Sequence, residues 1–282
     1  MDTLRRTARN RPVLSFLLLS IGISWPLWGA QLVIPPQRLV SAGLGFVPFF
    51  LGFVPYFGPL IAAAALIWLT GGDLRSWASQ IWRWRVAPHW YGFALLLPML
   101  CSVGIVIASA LFINAPWRIP FRAPLTNGRY IFVLVTFVIN AIGLEAGLRG
   151  FALPWVLRRF NALVASVILG VAWAVWSLPQ LLFPGSILSA LSIVVYIPAL
   201  VIFSVLLTYI YNSTNGSVLA AAVLSGGIQT GVTTLGAPTL AMQLITLAVW
   251  AIPALAIANL YGEERLAERL PPTENLVNPL DE

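Results

Sequence analysis

The 282-residue chain is 59% apolar and only 9% charged. Soluble domains carry about 25% charged residues, so this chain cannot cover a water-facing surface. Its net charge of +7 comes from 16 Arg and no Lys, and the Arg lie at the ends of apolar blocks. That placement indicates membrane topology and excludes a nucleic-acid-binding surface, while the absence of Lys excludes Schiff-base chemistry.

The apolar blocks are continuous rather than alternating, which predicts helices and not a β-barrel. The first predicted span covers residues 13–34. Its apolar region is too long for a signal peptide, and no convincing small-residue cleavage site follows. Residues 35–54 are apolar but interrupted by Pro, and we interpret them as a re-entrant or interfacial segment.

Seven further blocks have lengths close to the ~20 residues that cross a bilayer. They cover residues 56–70, 90–113, 130–155, 163–183, 187–211, 217–234 and 240–260. A Pro-rich loop is predicted at 114–128 and a solvated, charged tail at 261–282. The expected fold class is therefore all-α, a polytopic bundle of about eight transmembrane helices.

The Arg residues are distributed unequally between the two sides of the predicted bundle. Eleven lie on the side of both termini, whereas Arg38, Arg118, Arg122 and Arg129 lie on the other and Arg149 lies within a span. The positive-inside rule then predicts that both termini are cytoplasmic. We expect the protein to reside in the plasma membrane of a prokaryotic cell.

One charged pair lies within the predicted spans. Glu145 is the only acidic residue between Asp73 and Glu263, and Arg149 follows it by four residues. This spacing places both side chains on one helix face. Two interpretations stay open at this point, a structural buried ion pair and a functional polar centre, because intramembrane charges often mark functional sites.

Three ordered motifs carry a family resemblance. Residues 144–150 read LEAGLRG and are followed by two Arg at 158 and 159; residues 173–179 read WAVWSLP; residues 215–217 read NGS and lead to SGGIQ at 225–229. This series resembles the CPBP family of intramembrane proteases, also called the Abi or bacteriocin-processing family, which includes the type II CAAX prenyl endopeptidases. The resemblance covers about residues 129–234.

The resemblance implies that most catalytic positions are substituted. The family's Glu-Glu-x-x-x-Arg motif has Leu144 in place of its first Glu and keeps Glu145 and Arg149. Its two His positions hold Ser177 and Ser225, and its Asn position holds Gln229. In the family the Glu and His groups activate water, and the His and Asn groups stabilise the oxyanion. Leu and Ser cannot supply a base near neutral pH.

The composition offers no replacement chemistry. A zinc site needs three or four ligands. The spans supply only Glu145 and Cys101, while the single His89 is interpreted as an interfacial residue beside Trp90. We therefore expect no metal and no cofactor.

The resemblance also suggests a division of the chain. We expect amino-terminal spans at 1–128, a CPBP-like core at 129–234, a last span at 235–260 and a tail at 261–282. The leading functional hypothesis is a pseudoprotease that, besides contacting membrane lipid, binds a membrane protein or a lipid-linked peptide in the former substrate cavity.

Two alternatives stay open. In the first, the protein is an active endopeptidase that uses Glu145 as its base. In the second, it is a small-molecule or lipid transporter, although the spans offer few polar groups besides Glu145, Arg149, Asn140 and Gln229. Enzymatic activity therefore stays uncertain, and the deciding feature is whether Glu145 faces a cavity or is held by Arg149.

Overall fold

The structure is a computed structural model that describes residues 2–34, 36–115, 129–182, 193–237 and 239–267. Every regular element in these ranges is helical. The α-helices are α1 (Asp2–Asn10), α2 (Pro12–Val33), α3 (Pro36–Ser41), α4 (Phe46–Phe53), α5 (Gly58–Thr70), α6 (Leu74–Ile81), α7 (Pro88–Ile113), α8 (Arg129–Gly147), α9 (Leu153–Leu157), α10 (Ala162–Ser177), α11 (Ile193–Ser213), α12 (Val218–Leu235) and α13 (Leu240–Tyr261).

Eight segments of the described chain are long and apolar enough to cross a membrane. They are Pro12–Val33, Phe46–Thr70, Pro88–Ile113, Val133–Leu157, Ala162–Leu182, Ile193–Ser213, Val218–Leu235 and Leu240–Tyr261. The predicted all-α polytopic bundle is thereby confirmed. Most of the predicted loop at 114–128, the boundary between the fifth and sixth predicted spans and most of the tail lie outside the described residues.

The second span differs from the sequence prediction. Residues 46–53 form α4, and the 3₁₀ turn Val54–Phe57 carries the chain directly into α5. Pro55 occupies an early position of that turn, where its missing N–H leaves no helical hydrogen bond unmade. The candidate span therefore begins at Phe46 and includes residues 46–54, the last part of the segment that the sequence predicts to be re-entrant or interfacial.

Helix α12 lies in the interior of the bundle and packs against α7, α8 and α11, while α5 packs against α8 and α10 against α11. Small residues make two of these approaches possible. A Cβ atom at Gly226 would lie 2.6 Å from Val138 Cγ2, and one at Gly147 would lie 2.6 Å from Pro59 Cβ. These crossings bring α8, α10, α11 and α12 close enough to share one polar region.

Several Arg-rich segments meet at one end of the bundle. Arg5 and Arg9 donate from α1 to the carbonyls of Leu69 and Thr70 at the end of α5, each at 2.7 Å. At the same end of the bundle, the Asn212 side chain at the end of α11 donates to the Arg265 carbonyl at 2.8 Å. The tail that follows α13 therefore returns to the end of α11.

Candidate functional site

The intramembrane charged pair forms where α8 changes its winding. Helix α8 ends at Gly147 and continues through one π-helical turn, Leu148–Ala152. Arg149 Nη1 lies 3.1 Å from Glu145 Oε2, and both side chains are 0% exposed. Such π turns are frequent at functional sites, and this one holds both charged side chains fully buried.

Further contacts join this pair to three neighbouring helices. Arg149 Nη2 donates to the Ser204 hydroxyl at 2.9 Å and to the Ser204 carbonyl at 3.3 Å on α11. The guanidinium carbon lies 6.0 Å from the Trp173 ring centre on α10. The Ser225 hydroxyl on α12 contacts the Glu145 carboxylate. Among the described residues, Arg149 is the one charged partner of the Glu145 carboxylate, at 3.1 Å.

Ser177, at the first substituted His position, is buried at the end of α10. Its hydroxyl donates to the Trp173 carbonyl at 2.6 Å and lies 2.6 Å from the Tyr196 hydroxyl on α11, where either oxygen can donate. The Ala174 carbonyl lies 3.2 Å from the Tyr196 hydroxyl and is a second acceptor for its single proton. Within the described ranges, the hydrogen-bond partners of Ser177 are neutral, and none of them is a base that could activate it as a nucleophile.

Ser225 and Gln229 lie one turn apart on α12. The Gln229 side-chain amide donates to the Ser225 hydroxyl at 3.4 Å, a long hydrogen bond. Ser225 is buried and Gln229 is partly buried. These two residues form a polar path from the enclosed Glu145 toward the cavity described next.

A cavity of about 140 Å³ lies between the 3₁₀ turn at 54–57 and helices α8, α10, α11 and α12. Leu144 lines it from the first motif, and the rest of the wall is mostly apolar apart from six polar side chains, Tyr56, Ser177, Gln180, Tyr196, Gln229 and Thr233. The described lining includes Leu144 but not Glu145, Arg149 or Ser225. The structure thus brings all six motif positions into one region and separates the charged pair from the cavity.

Sequence reasoning missed four residues of this region. The Tyr56 hydroxyl donates to Gln180 at 3.1 Å across the cavity wall, Tyr196 contacts Ser177, and Ser204 contacts Arg149. Gln180 directly follows the second motif and could have been singled out from its position. The other three lie in or beside apolar spans with no local signal, because their roles arise from packing between helices.

The other chemistry-bearing residues lie outside the cavity. The His89 ring is exposed and lies 4.9 Å from that of Trp90, and Cys101 is buried within α7. Within the described ranges no three His, Cys, Asp or Glu residues come together as a metal site.

The fold and this geometry are those of an integral membrane protein that encloses a group of polar residues between its helices. Residues 126–230 match the family model described as type II CAAX prenyl endopeptidase, Rce1-like, which confirms the predicted family resemblance. The matched segment contains all six motif positions. No curated protein matches the chain. The division of the chain at residues 128, 234 and 260 stays a prediction.

Proposed function

We propose that this CAAX-protease-like membrane protein binds, without cleaving, an apolar group of a membrane protein or of a lipid-linked peptide in the cavity. One observation carries the proposal. Glu145, the retained carboxylate of the first motif, is fully buried, paired with Arg149 at 3.1 Å and outside the described cavity lining.

The chemistry of the lining supports binding rather than hydrolysis. Peptide hydrolysis needs a base that takes a proton from water and donors that stabilise the oxyanion. The cavity offers the neutral side chains of Ser177, Tyr196, Gln180 and Gln229. These groups can hydrogen-bond a peptide amide, but a neutral hydroxyl or amide does not take a proton from water near pH 7. Among its described residues, the lining therefore retains recognition groups and holds no base.

The size of the cavity limits what it can hold. A dry engineered cavity of roughly 150 Å³ accommodates benzene, whereas drug-sized ligands need about 300 Å³ or more. At about 140 Å³, this cavity fits the end of an isoprenoid chain or one apolar side chain, and not a whole lipid. The remainder of the partner would lie in the bilayer or along the bundle surface.

The test uses the purified full chain in detergent with a farnesylated peptide that carries a photoreactive group on its lipid. We expect cross-linking to the cavity wall and no cleavage. Ala199→Phe should greatly reduce cross-linking, because the added ring fills much of a cavity that Ala199 lines. The matched control, Ala256→Phe, adds the same ring at an exposed position of α13 and should cross-link as the wild type does.

Two outcomes would contradict the proposal. If Ala199→Phe and Ala256→Phe cross-link equally, the cavity is not the binding site. If the wild type cleaves the peptide, and Glu145→Gln loses this activity at unchanged thermal stability, the protein is an active endopeptidase that uses Glu145.

We also infer that both termini face the cytoplasm. The eleven-to-four distribution of Arg supports this orientation. The joining of α1 to the end of α5, and of the segment after α13 to the end of α11, places Arg-rich segments from distant parts of the sequence in contact with span ends. Such clustering is what a cytoplasmic face with anionic lipids favours.

A further inference from the structure

A second, larger pocket lies apart from the cavity, where the start of α2 meets the end of α9. Its volume is about 470 Å³. Four Arg line it: Arg9 and Arg11 precede α2, and Arg158 and Arg159 follow α9. Among the described residues no acidic side chain contributes to the lining. The pocket is therefore strongly positive and large enough for a polar headgroup.

Two features besides the Arg residues suit an anion. Helix α2, 22 residues long, has no side-chain cap at its N-terminus, and its first residues line the pocket. The positive end of a helix favours a negative group. In addition, Trp155 lines the pocket, and its buried indole N–H has no hydrogen-bond partner among the described residues. The Arg158 guanidinium carbon lies 4.3 Å from the Trp155 ring centre, which brings cation and donor together.

The surroundings of the pocket distinguish a lipid from a soluble anion. Leu14 and Leu18 on α2 are 46% and 61% exposed, and Val164 and Val167 on α10 are 39% and 42% exposed. Leu14 and Ile168 themselves line the pocket, and the exposed side chains lie near them on two candidate membrane spans, so we expect them to face acyl chains rather than water. A ligand held here by its phosphate can extend its hydrocarbon along the same face.

We propose that this pocket binds the phosphodiester headgroup of an anionic phospholipid. The guanidinium groups of Arg158 and Arg159, together with those of Arg9 and Arg11, contact the phosphate oxygens, and the Trp155 N–H donates to the headgroup. Guanidinium groups are well matched to phosphate oxygens, and basic pockets beside membrane spans are suited to anionic headgroups. This site is separate from the cavity of the proposed function.

The test is native mass spectrometry of the purified full chain titrated with phosphatidylglycerol or phosphatidylcholine. We expect phosphatidylglycerol to bind more tightly. Arg158→Gln with Arg159→Gln should weaken that binding by about thirtyfold. Each Arg near a membrane surface contributes a factor of roughly 5.4 to the affinity for an anionic lipid, and two such factors multiply. The matched control, Arg75→Gln with Arg85→Gln, removes the same charge from exposed positions and should bind as the wild type does.

Further variants keep the test decisive if the double Gln variant folds poorly. Arg158→Lys with Arg159→Lys retains the charge but loses the guanidinium geometry, so it should weaken binding by about fivefold, well short of the double Gln variant. Trp155→Phe removes the indole donor and should weaken binding by about fivefold. Folded state is checked for every variant by size-exclusion profile and thermal midpoint.

Three results would overturn the proposal. The first is equal weakening by the two double Gln variants, which would mean a general charge effect. The second is equal binding of phosphatidylglycerol and phosphatidylcholine. The third is displacement of the lipid by an equal concentration of glycerol 3-phosphate, which would identify a soluble phosphate as the ligand.

Discussion

Removing one member of the Glu145–Arg149 pair should destabilise the protein far more than removing both. Each side chain is 0% exposed, so a single apolar replacement leaves an uncompensated charge in a low-dielectric interior. Breaking a buried pair in this way costs ~3–5 kcal/mol. The double change, Glu145→Leu with Arg149→Met, removes both charges. It loses the two Arg149 hydrogen bonds to Ser204, so we expect a cost of at most ~2 kcal/mol.

The two single changes should also differ from each other. In Arg149→Met, the remaining carboxylate can take up a proton at a cost of ~4 kcal/mol at pH 7, whereas in Glu145→Leu the guanidinium stays charged. Glu145→Leu should therefore be the more damaging change. Protonation of the Glu145 carboxylate becomes easier as pH falls. Lowering the pH from 7 to 5 should therefore raise the free energy of unfolding of Arg149→Met by ~2–3 kcal/mol and leave that of Glu145→Leu unchanged.

The assay is the folded fraction of each purified variant in mixed detergent as the proportion of denaturing detergent rises, measured at both pH values. Glu145→Gln serves as a shape-matched control that keeps a hydrogen-bond acceptor beside Arg149. Single variants as stable as the wild type, or a double variant less stable than both single variants, would refute the structural role of the pair.

Three further predictions concern topology, packing and the cavity. A reporter that is active only outside the cytoplasm should give no signal when fused to the carboxyl end, and a strong signal there would overturn the orientation. Gly147→Ala should lower the thermal midpoint markedly, because its Cβ would lie 2.6 Å from Pro59 Cβ, whereas Gly22→Ala, with nothing within 4 Å, should not. Ser177→Ala should cost only ~1 kcal/mol in the same unfolding assay, since Tyr196 keeps its bond to a backbone carbonyl; a loss as large as that for Glu145→Leu would contradict this.

The sequence was sufficient to predict the membrane spans, because a membrane-spanning helix is defined by one continuous stretch of residues. Its length and hydropathy are properties of one continuous block, and the described part of the chain contains eight such blocks where the pattern predicts them, apart from the early start of the second span. The sequence places that start at residue 56 because Pro48 and Pro55 interrupt the apolar block. The position of Pro55 early in a 3₁₀ turn lets the helical path continue instead.

The six motif positions and the i, i+4 pairing of Glu145 with Arg149 could likewise be read from the sequence, since both depend on short spacings within one helix. The direction in which neighbouring side chains point could not be predicted from the sequence. Leu144 and Glu145 are adjacent in the chain, yet Leu144 lines the cavity and Glu145 faces Arg149. Successive helical residues project in different directions, and only the packing of other helices determines which direction meets a cavity.

Contacts between distant segments were decided by the tertiary structure alone. Tyr196 and Ser204 lie on one apolar helix, and their polarity acquires a role only because α11 packs beside α10 and the π turn. The Arg-lined pocket joins the start of α2 to the end of α9, segments more than 140 residues apart in the chain. Hydropathy and local spacing carry no information about which helices become neighbours, because that choice depends on side-chain complementarity across the whole bundle.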